Sequence, residues 1–331
     1  MDEFSLINKY FARNVAKNED VVLGIGDDCA LFNVGSEYNV AVSTDTFSKG
    51  VHFFENTDPY LIGYKALAVN LSDLAAMGAE CVAYTVALSI PSADESFLDG
   101  FTNGLFDLAT KYNIPLVGGD TTKGELAITI TVFGKILKGC EFRRDKAIAG
   151  DLICVSGTLG DANLACRSRY EGFEDAVSLK CHMALDKPEP RLDMVSVLRS
   201  LGCKCAMDLS DGLMGDIKHI LKASKVCAKL NIEKLPLSCE LKEFFKNNSL
   251  LVPNKQAYDC ALQGGDDYEL LFTLSKEAYN KYLLDEDLVN KFKIYPIGEI
   301  TERVNVVTDD DSLVTLVGCE ENVIAQSFTH F

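Results

Sequence analysis

Six short strings rich in Asp and Gly constrain this chain more than any other feature of it. They read GIGDDCA at 24–30, STDTFSKGVHF at 43–53, NLSDLAAMG at 70–78, GGDTTKG at 118–124, MDLSDGL at 207–213 and GGDDYEL at 264–270. Each places a carboxylate beside glycine or a small hydroxyl residue. A fold that gathers such groups without matching lysines or arginines collects charges that repel one another. The gathering is tolerated when a cation sits among them. The economical choice is Mg²⁺, with phosphate oxygens as its further ligands. Taken singly, each string is explained as well by a turn aspartate or a helix N-cap. That explanation weakens for the set, because it leaves unexplained why the acidic turns recur beside apolar strands and helix ends.

The chain of 331 residues has room for two domains or one large one. Its 49 acidic residues outnumber 32 basic ones. A nucleic-acid partner is therefore not expected, and no basic face for a membrane surface is visible. The N-terminal MDEFSLINKYFARN lacks a basic region followed by an apolar core, so no signal peptide is expected. The longest apolar stretch, 126–137, is too short to span a bilayer and is broken by Lys135. A soluble, cytoplasmic protein follows as the expectation. The 12 cysteines are scattered, with no CxxC, and read as reduced core residues rather than a disulfide frame or zinc site.

Strand and helix patterns alternate. Val40–Thr44 reads as a strand ending at Asp45, and 59–77 as a helix with Leu67, Leu71 and Leu74 at helical spacing. Val82–Ile90 and Leu126–Ile136 read as strands, and 94–112 as an amphipathic helix ending before Pro115. The charged, aperiodic stretch 138–151 reads as a linker between a first domain, 1–140, and a second, 150–331. The second opens with a strand at Leu152–Ser156 and continues with helical segments near 160–170 and 175–184. A KPEPR turn follows at 187–191, then a helix at 213–225 and a strand at Tyr268–Leu274. Asp309–Asp311 reads as a hairpin tip. The class is α/β, or α+β.

Asp73 follows Asn70 by three residues on an apolar helix, so both can point the same way, and a carboxylate there needs a partner or a metal. Asp27 and Asp28 sit in a glycine turn. The Gly118–Gly119 pair can offer backbone N–H groups to phosphate oxygens. There is no GxSxG, HExxH or Walker A string, and only four histidines are present. A reaction needing no strong side-chain base fits best. Attack by a phosphate oxygen on another phosphate is such a case, since that oxygen is already ionised at neutral pH.

The strings GIGDDCA, STDTF…GVHF, KALAVNLSDLAAMGA, GGDTTKG, DLSDGL and GGDDYELLFT resemble the thiamine-monophosphate kinase family, from Phe4 to Phe272. That family shares a superfamily with aminoimidazole ribonucleotide synthetase and selenophosphate synthetase. The resemblance implies ATP-dependent phosphorylation of thiamine monophosphate to thiamine diphosphate. It implies an N-terminal α/β domain whose sheet joins its twin in a homodimer barrel, a C-terminal α/β domain, and ATP held between the two with several Mg²⁺ ions. It assigns Asp28, Ser43, Thr44, Asp45, Asp73, Asp120, Asp208 and Asp211 as metal ligands, with Asp73 shared between ions. Asp45, Asp73 and Asp120 become the catalytic set. Gly119, Asp120, Arg144 and Ser210 match ATP contacts, with Arg143 as an alternative to Arg144. His52, Asp266 and Phe328 match substrate contacts; the family pattern has Glu at the place of Asp266. Two other readings stay open: a different ATP-using synthetase of the superfamily, and a nucleotide- or Ca²⁺-sensing module without catalysis.

Overall fold

The computed structural model describes residues 7–11, 18–23, 31–248, 253–303 and 313–318. The chain divides into two compact units, Met1–Leu74 with Ala79–Gly139, and Ala75–Gly78 with Cys140–Phe331.

The first unit is built on a four-stranded sheet. Its strands are β3 (Tyr38–Ser48), β4 (Glu80–Ile90), β5 (Leu116–Lys123) and β6 (Ala127–Leu137), in the order β3-β6-β4-β5. Alternation in β6 buries Ile128, Ile130, Val132 and Ile136 on one face, as its β-branched residues lead one to expect. Helix α1 (Pro59–Ala76) lies on that face: a Cβ on Gly134 of β6 would meet Leu74 at 3.0 Å. Buried residues run almost all round this helix, so it is a core helix rather than a surface one. Helix α2 (Glu95–Lys111) starts at Asp94, whose carboxylate accepts N–H bonds from Ser96 and Phe97. It makes the crossover between the parallel strands β4 and β5. The opposite sheet face is open along β3, where Val40 and Val42 are 53% and 58% exposed. A two-stranded sheet, β1 (Val21–Leu23) with β2 (Leu31–Phe32), brings Phe32 to within 5.1 Å of Phe133, ring to ring.

One sequence expectation changes here. Asp45 does not end a strand; β3 runs three residues further and places it inside the ladder, paired with Ile130. The GGDT string, which carried no secondary-structure expectation, is part of β5. Glycine's low strand propensity hid that strand, although the neighbouring β4 supplies its ladder bonds.

The second unit carries a six-stranded sheet: β7 (Leu152–Val155), β8 (Cys205–Asp208), β9 (Cys227–Asn231), β10 (Leu270–Leu274), β11 (Tyr295–Thr301) and β12 (Val314–Val317), in the order β12-β9-β11-β7-β10-β8. All pairs are antiparallel except β12 with β9. Its helices are α3 (Asp161–Glu171), α4 (Leu179–Asp186), α5 (Leu192–Ser200), α6 (Leu213–Ser224), α7 (Cys239–Asn248), α8 (Pro253–Gln263), α9 (Lys276–Leu283) and α10 (Glu286–Lys291). One core packs Phe142, Cys154, Met194, Leu198, Leu270 and Phe272 together. KPEPR is a turn, as its prolines require, between α4 and α5. Helix α4 begins at Leu179 rather than near 175, because Ser178 caps it. Strands β8 and β9 and helices α5 and α7 to α10 were not foreseen; they are short, and tertiary packing stabilises them more than local pattern does. The sequence-expected strand at 268 starts at Leu270. The expected hairpin tip, Asp309–Asp311, lies outside the described residues. The ten cysteines among the described residues are free, and no helix there is long and apolar enough to cross a membrane.

Candidate active site

In the first unit, β3 and α1 bring three oxygen-bearing side chains together. Ser43 and Asp45 are two apart on β3, so both face α1. The Ser43 hydroxyl donates to Asp73 Oδ2 at 2.5 Å. Asn70, one helical turn before Asp73, accepts the backbone N–H of Asp45 at 3.1 Å and donates to Ala66 O at 2.9 Å. The NLSD string thus presses two polar residues from an apolar helix onto one strand. Burial, with the charge of Asp73 beside it, pushes the Asp45 carboxyl up to about 6. Two carboxylates from distant strings thus stand side by side, Asp45 from β3 and Asp73 from α1.

Alternation separates two other candidates from that pair. Thr44 turns to the open sheet face, where its hydroxyl bonds that of Thr131 at 2.9 Å. Its hydroxyl is therefore no partner of Asp45 and Asp73, and only its backbone carbonyl remains for that role. Asp120 pairs in register with Ala87, and through Thr129 with Thr46, all on the open face. It stands three strands from β3, roughly 14 Å across the sheet. Within one chain, Asp120 and Asp45 do not share an ion. Gly119 is required where it stands: φ is 153°, and a Cβ would lie 1.9 Å from Val86 O on β4. His52 stacks on Phe47 with ring centroids 5.2 Å apart, and its Nδ1 accepts the N–H of Ser48 at 3.0 Å. That bond fixes the tautomer with the proton on Nε2.

In the second unit, the strings LSDGL and GGDDYEL meet at the ends of the paired strands β8 and β10. Asp266 N donates to Ser210 O at 2.9 Å, Tyr268 N to Leu209 O at 2.8 Å, and Leu209 N to Glu269 O at 2.9 Å. Two strings more than fifty residues apart in sequence thus form one double loop carrying Asp208, Ser210, Asp211 and Asp266. The residue that sequence reasoning missed is Asp216. It is buried in the first turn of α6, and its Oδ2 accepts the N–H groups of Ser210 and Asp211, each at 3.1 Å. Burial, then the charges of Asp211 and Asp208, push its carboxyl up to about 7. The signal was present: an acid five residues after the SDG aspartate, in the first turn of an apolar helix, is a reverse cap on that loop. Of the two candidate arginines, Arg143 is engaged by Asp145 at 2.8 and 2.9 Å, whereas Arg144 is exposed and its carbonyl accepts from Ser224 Oγ at 2.8 Å.

Asp27, Asp28 and Phe328 lie outside the described residues. Among the described residues, no three His, Cys, Asp or Glu side chains group around one point as a metal cage would need. Mg²⁺ does not require such a cage; it is held by one or two carboxylates while water and substrate phosphates complete its six positions. Asp45 and Asp73 with the Ser43 hydroxyl fit that requirement in donor type and in charge.

The description "AIR synthase related protein, N-terminal domain" matches residues 26–136, and its C-terminal counterpart matches 149–310. Thiamine-monophosphate kinase of Escherichia coli (strain K12) is 45% identical over 278 residues, 82% of each chain. The chain belongs to the thiamine-monophosphate kinase family. A solved family member, from Stenotrophomonas maltophilia K279a, superposes with a TM-score of 0.83 at 39% identity, over 96% of this chain and 97% of that one. A second, AaThiL complexed with AMPPCP and TMP, gives 0.76 at 28% identity over 99% and 96%. Family membership establishes the two-domain AIR-synthase-like fold of mixed helix and sheet.

Proposed function

We propose that this chain transfers the γ-phosphoryl group of ATP to thiamine monophosphate, forming thiamine diphosphate and ADP. The carrying observation is the adjacent Asp45 and Asp73 carboxylates, with the Ser43 hydroxyl on Asp73, in a chain that matches thiamine-monophosphate kinases over most of its length. A phosphate oxygen of thiamine monophosphate attacks the γ-phosphorus in line, and the bond to the ADP oxygen breaks. The attacking oxygen is already an anion, so no side chain need remove a proton, which suits a chain with only four histidines. Bound Mg²⁺ supplies neutralisation of the phosphate charge.

The chain's own residues do the positioning. Asp45 and Asp73 would hold the metal, with the Ser43 hydroxyl orienting Asp73. Asp208 and Asp211 would hold metal in the second unit, with Asp216 fixing the loop that bears them. Ser210, Arg144 and the Gly119–Asp120 stretch are assigned to ATP, and His52, Asp266 and Phe328 to the thiamine substrate. The separation of Asp120 from Asp45 supports placing Asp120 with a second copy of the chain. The open face of β3, with Val40, Val42 and the threonine rows Thr44–Thr131 and Thr46–Thr129, is the surface a second copy would cover. Free cysteines support a cytoplasmic location.

A coupled assay for ADP tests the activity. ADP release that requires both Mg²⁺ and thiamine monophosphate is expected. Release only with formylglycinamidine ribonucleotide, or ATP binding with no turnover at all, overturns the assignment in favour of a synthetase or a sensor. Light scattering tests the dimer: a mass of twice 36.2 kDa is expected, falling to one chain's mass in Val42→Lys.

A further inference from the structure

The loop Gly264–Glu269 carries two non-glycine residues in the left-handed region, Asp266 at φ 67° and Tyr268 at φ 48°. Such residues are sterically unfavourable and keep their conformation only where the surroundings over-determine it. The surroundings here are specific. Glu269 is buried and takes a two-pronged bond from Arg191, through Nε at 2.6 Å and through Nη2. It also accepts from the Ser156 hydroxyl at 2.5 Å, and that hydroxyl accepts the N–H of Leu270 at 2.8 Å. A Cβ on Gly157 would lie 2.2 Å from Glu269 Oε1, so glycine leaves the space this carboxylate fills. On the loop's other flank, the Asp267 carboxyl accepts the N–H of Gly160 at 2.9 Å. Arg191 is the last residue of KPEPR, a string whose sequence suggested nothing beyond a turn.

A buried guanidinium–carboxylate pair gains little net stability over apolar side chains of equal volume. What the pair does provide is a fixed position for one end of a strained loop. We propose that Arg191 is a positioning residue for the phosphoryl acceptor: acting through Glu269, it holds the left-handed Gly264–Tyr268 loop in the shape that presents Asp266. The inference rests on the reading of the chain as a thiamine-monophosphate kinase with Asp266 on the acceptor side.

The test combines steady-state kinetics with hydrogen exchange on the full chain. In Arg191→Met, the KM for thiamine monophosphate is expected to rise about tenfold or more, a loss of about 1.4 kcal/mol or more in acceptor binding. The KM for ATP is expected to stay within about twofold, a change of under about 0.5 kcal/mol. Amide exchange in a peptide covering 262–270 is expected to accelerate. Arg191→Lys keeps the charge but not the fork, and should recover part of both effects. If Arg191→Met does not fold, Arg191→Lys alone decides, by the same split between the two KM values. Parallel rises in both KM values, an unchanged KM for the acceptor, or unchanged exchange would overturn the proposal. Wild-type protein that fails to turn over thiamine monophosphate sinks the functional reading instead; the exchange experiment then still decides whether Arg191 holds the loop.

Discussion

Replacing Asp73 with Asn removes one of two facing carboxylates while keeping an oxygen that can accept from the Ser43 hydroxyl. In the wild type, the Asp45 carboxyl is raised from its ordinary value of 3.8 to about 6, by burial first and then by the charge and hydrogen bond of Asp73. Two pK units correspond to about 3 kcal/mol before any discount. Asp45 is only half-buried, so solvent screening lowers this to on the order of 1–2 kcal/mol. Asp73 supplies part of that, so its share is about 1 kcal/mol or somewhat less. The direction follows from the raised pKa. The folded carboxyl binds its proton more tightly than the unfolded one, so this group favours folding at low pH and that contribution is lost as pH rises through about 6. In EDTA at pH 8, Asp73→Asn should therefore melt about 1 °C above the wild type. At pH 5 the gap should close, because Asp45 is then mostly protonated in the wild type. Saturating Mg²⁺ should reverse the order, because only the wild type gains from binding the ion. Scanning fluorimetry in the two buffers reads all of this, and the coupled assay should show activity lost by at least about a hundredfold. A variant that melts below the wild type in EDTA at pH 8, or that gains as much from Mg²⁺, refutes the electrostatic premise.

Further substitutions probe other parts of the site. Gly119→Ala drives a Cβ into the backbone oxygen of Val86 and should cost about 2–4 kcal/mol in urea unfolding; an unchanged midpoint would show that β5 can yield. Asp216→Leu strands the N–H groups of Ser210 and Asp211 and should cost about 2–4 kcal/mol, whereas Asp216→Asn keeps an acceptor and should stay near the wild type. The same residue makes wild-type stability fall as pH rises through about 7 in metal-free buffer, since its proton is held more tightly in the folded state. That slope should flatten in Asp216→Asn, as chemical denaturation at pH 5 and pH 8 will read. Thr44→Val removes only the bond to Thr131, about 0.5–1 kcal/mol, and should leave kcat within about threefold; a hundredfold loss would place its hydroxyl in the chemistry.

The longer elements of the first unit, β3, α1, β4, α2 and β6, and the identity of its acidic strings were legible in the chain, because both rest on local signals. The leucines of α1 recur at helical spacing, the β-branched residues of β6 alternate, and Asn70 and Asp73 lie on one side of a helix whatever that helix packs against. The second unit was less legible. Its strands are four to seven residues long, and its loops derive their shape from one another: LSDGL is braced by Asp216 from below and by GGDDYEL from the side. The sequence named Asp266 as a candidate, but not the grip of Arg191 on Glu269, because those partners are 78 residues apart and each looks ordinary alone.

Which carboxylates meet was settled only in three dimensions. Ser43, Thr44 and Asp45 are consecutive and equally suited to a cation by chemistry, and composition cannot rank them. A pleated strand sends neighbours to opposite faces, so pairing β3 with β6 and covering one face with α1 gives Ser43 and Asp45 to Asp73 and turns Thr44 away. The chain determined by itself that acidic groups would need a counter-charge. The register of strands more than eighty residues apart determined which of them share it, since a slip of one position would exchange the two faces.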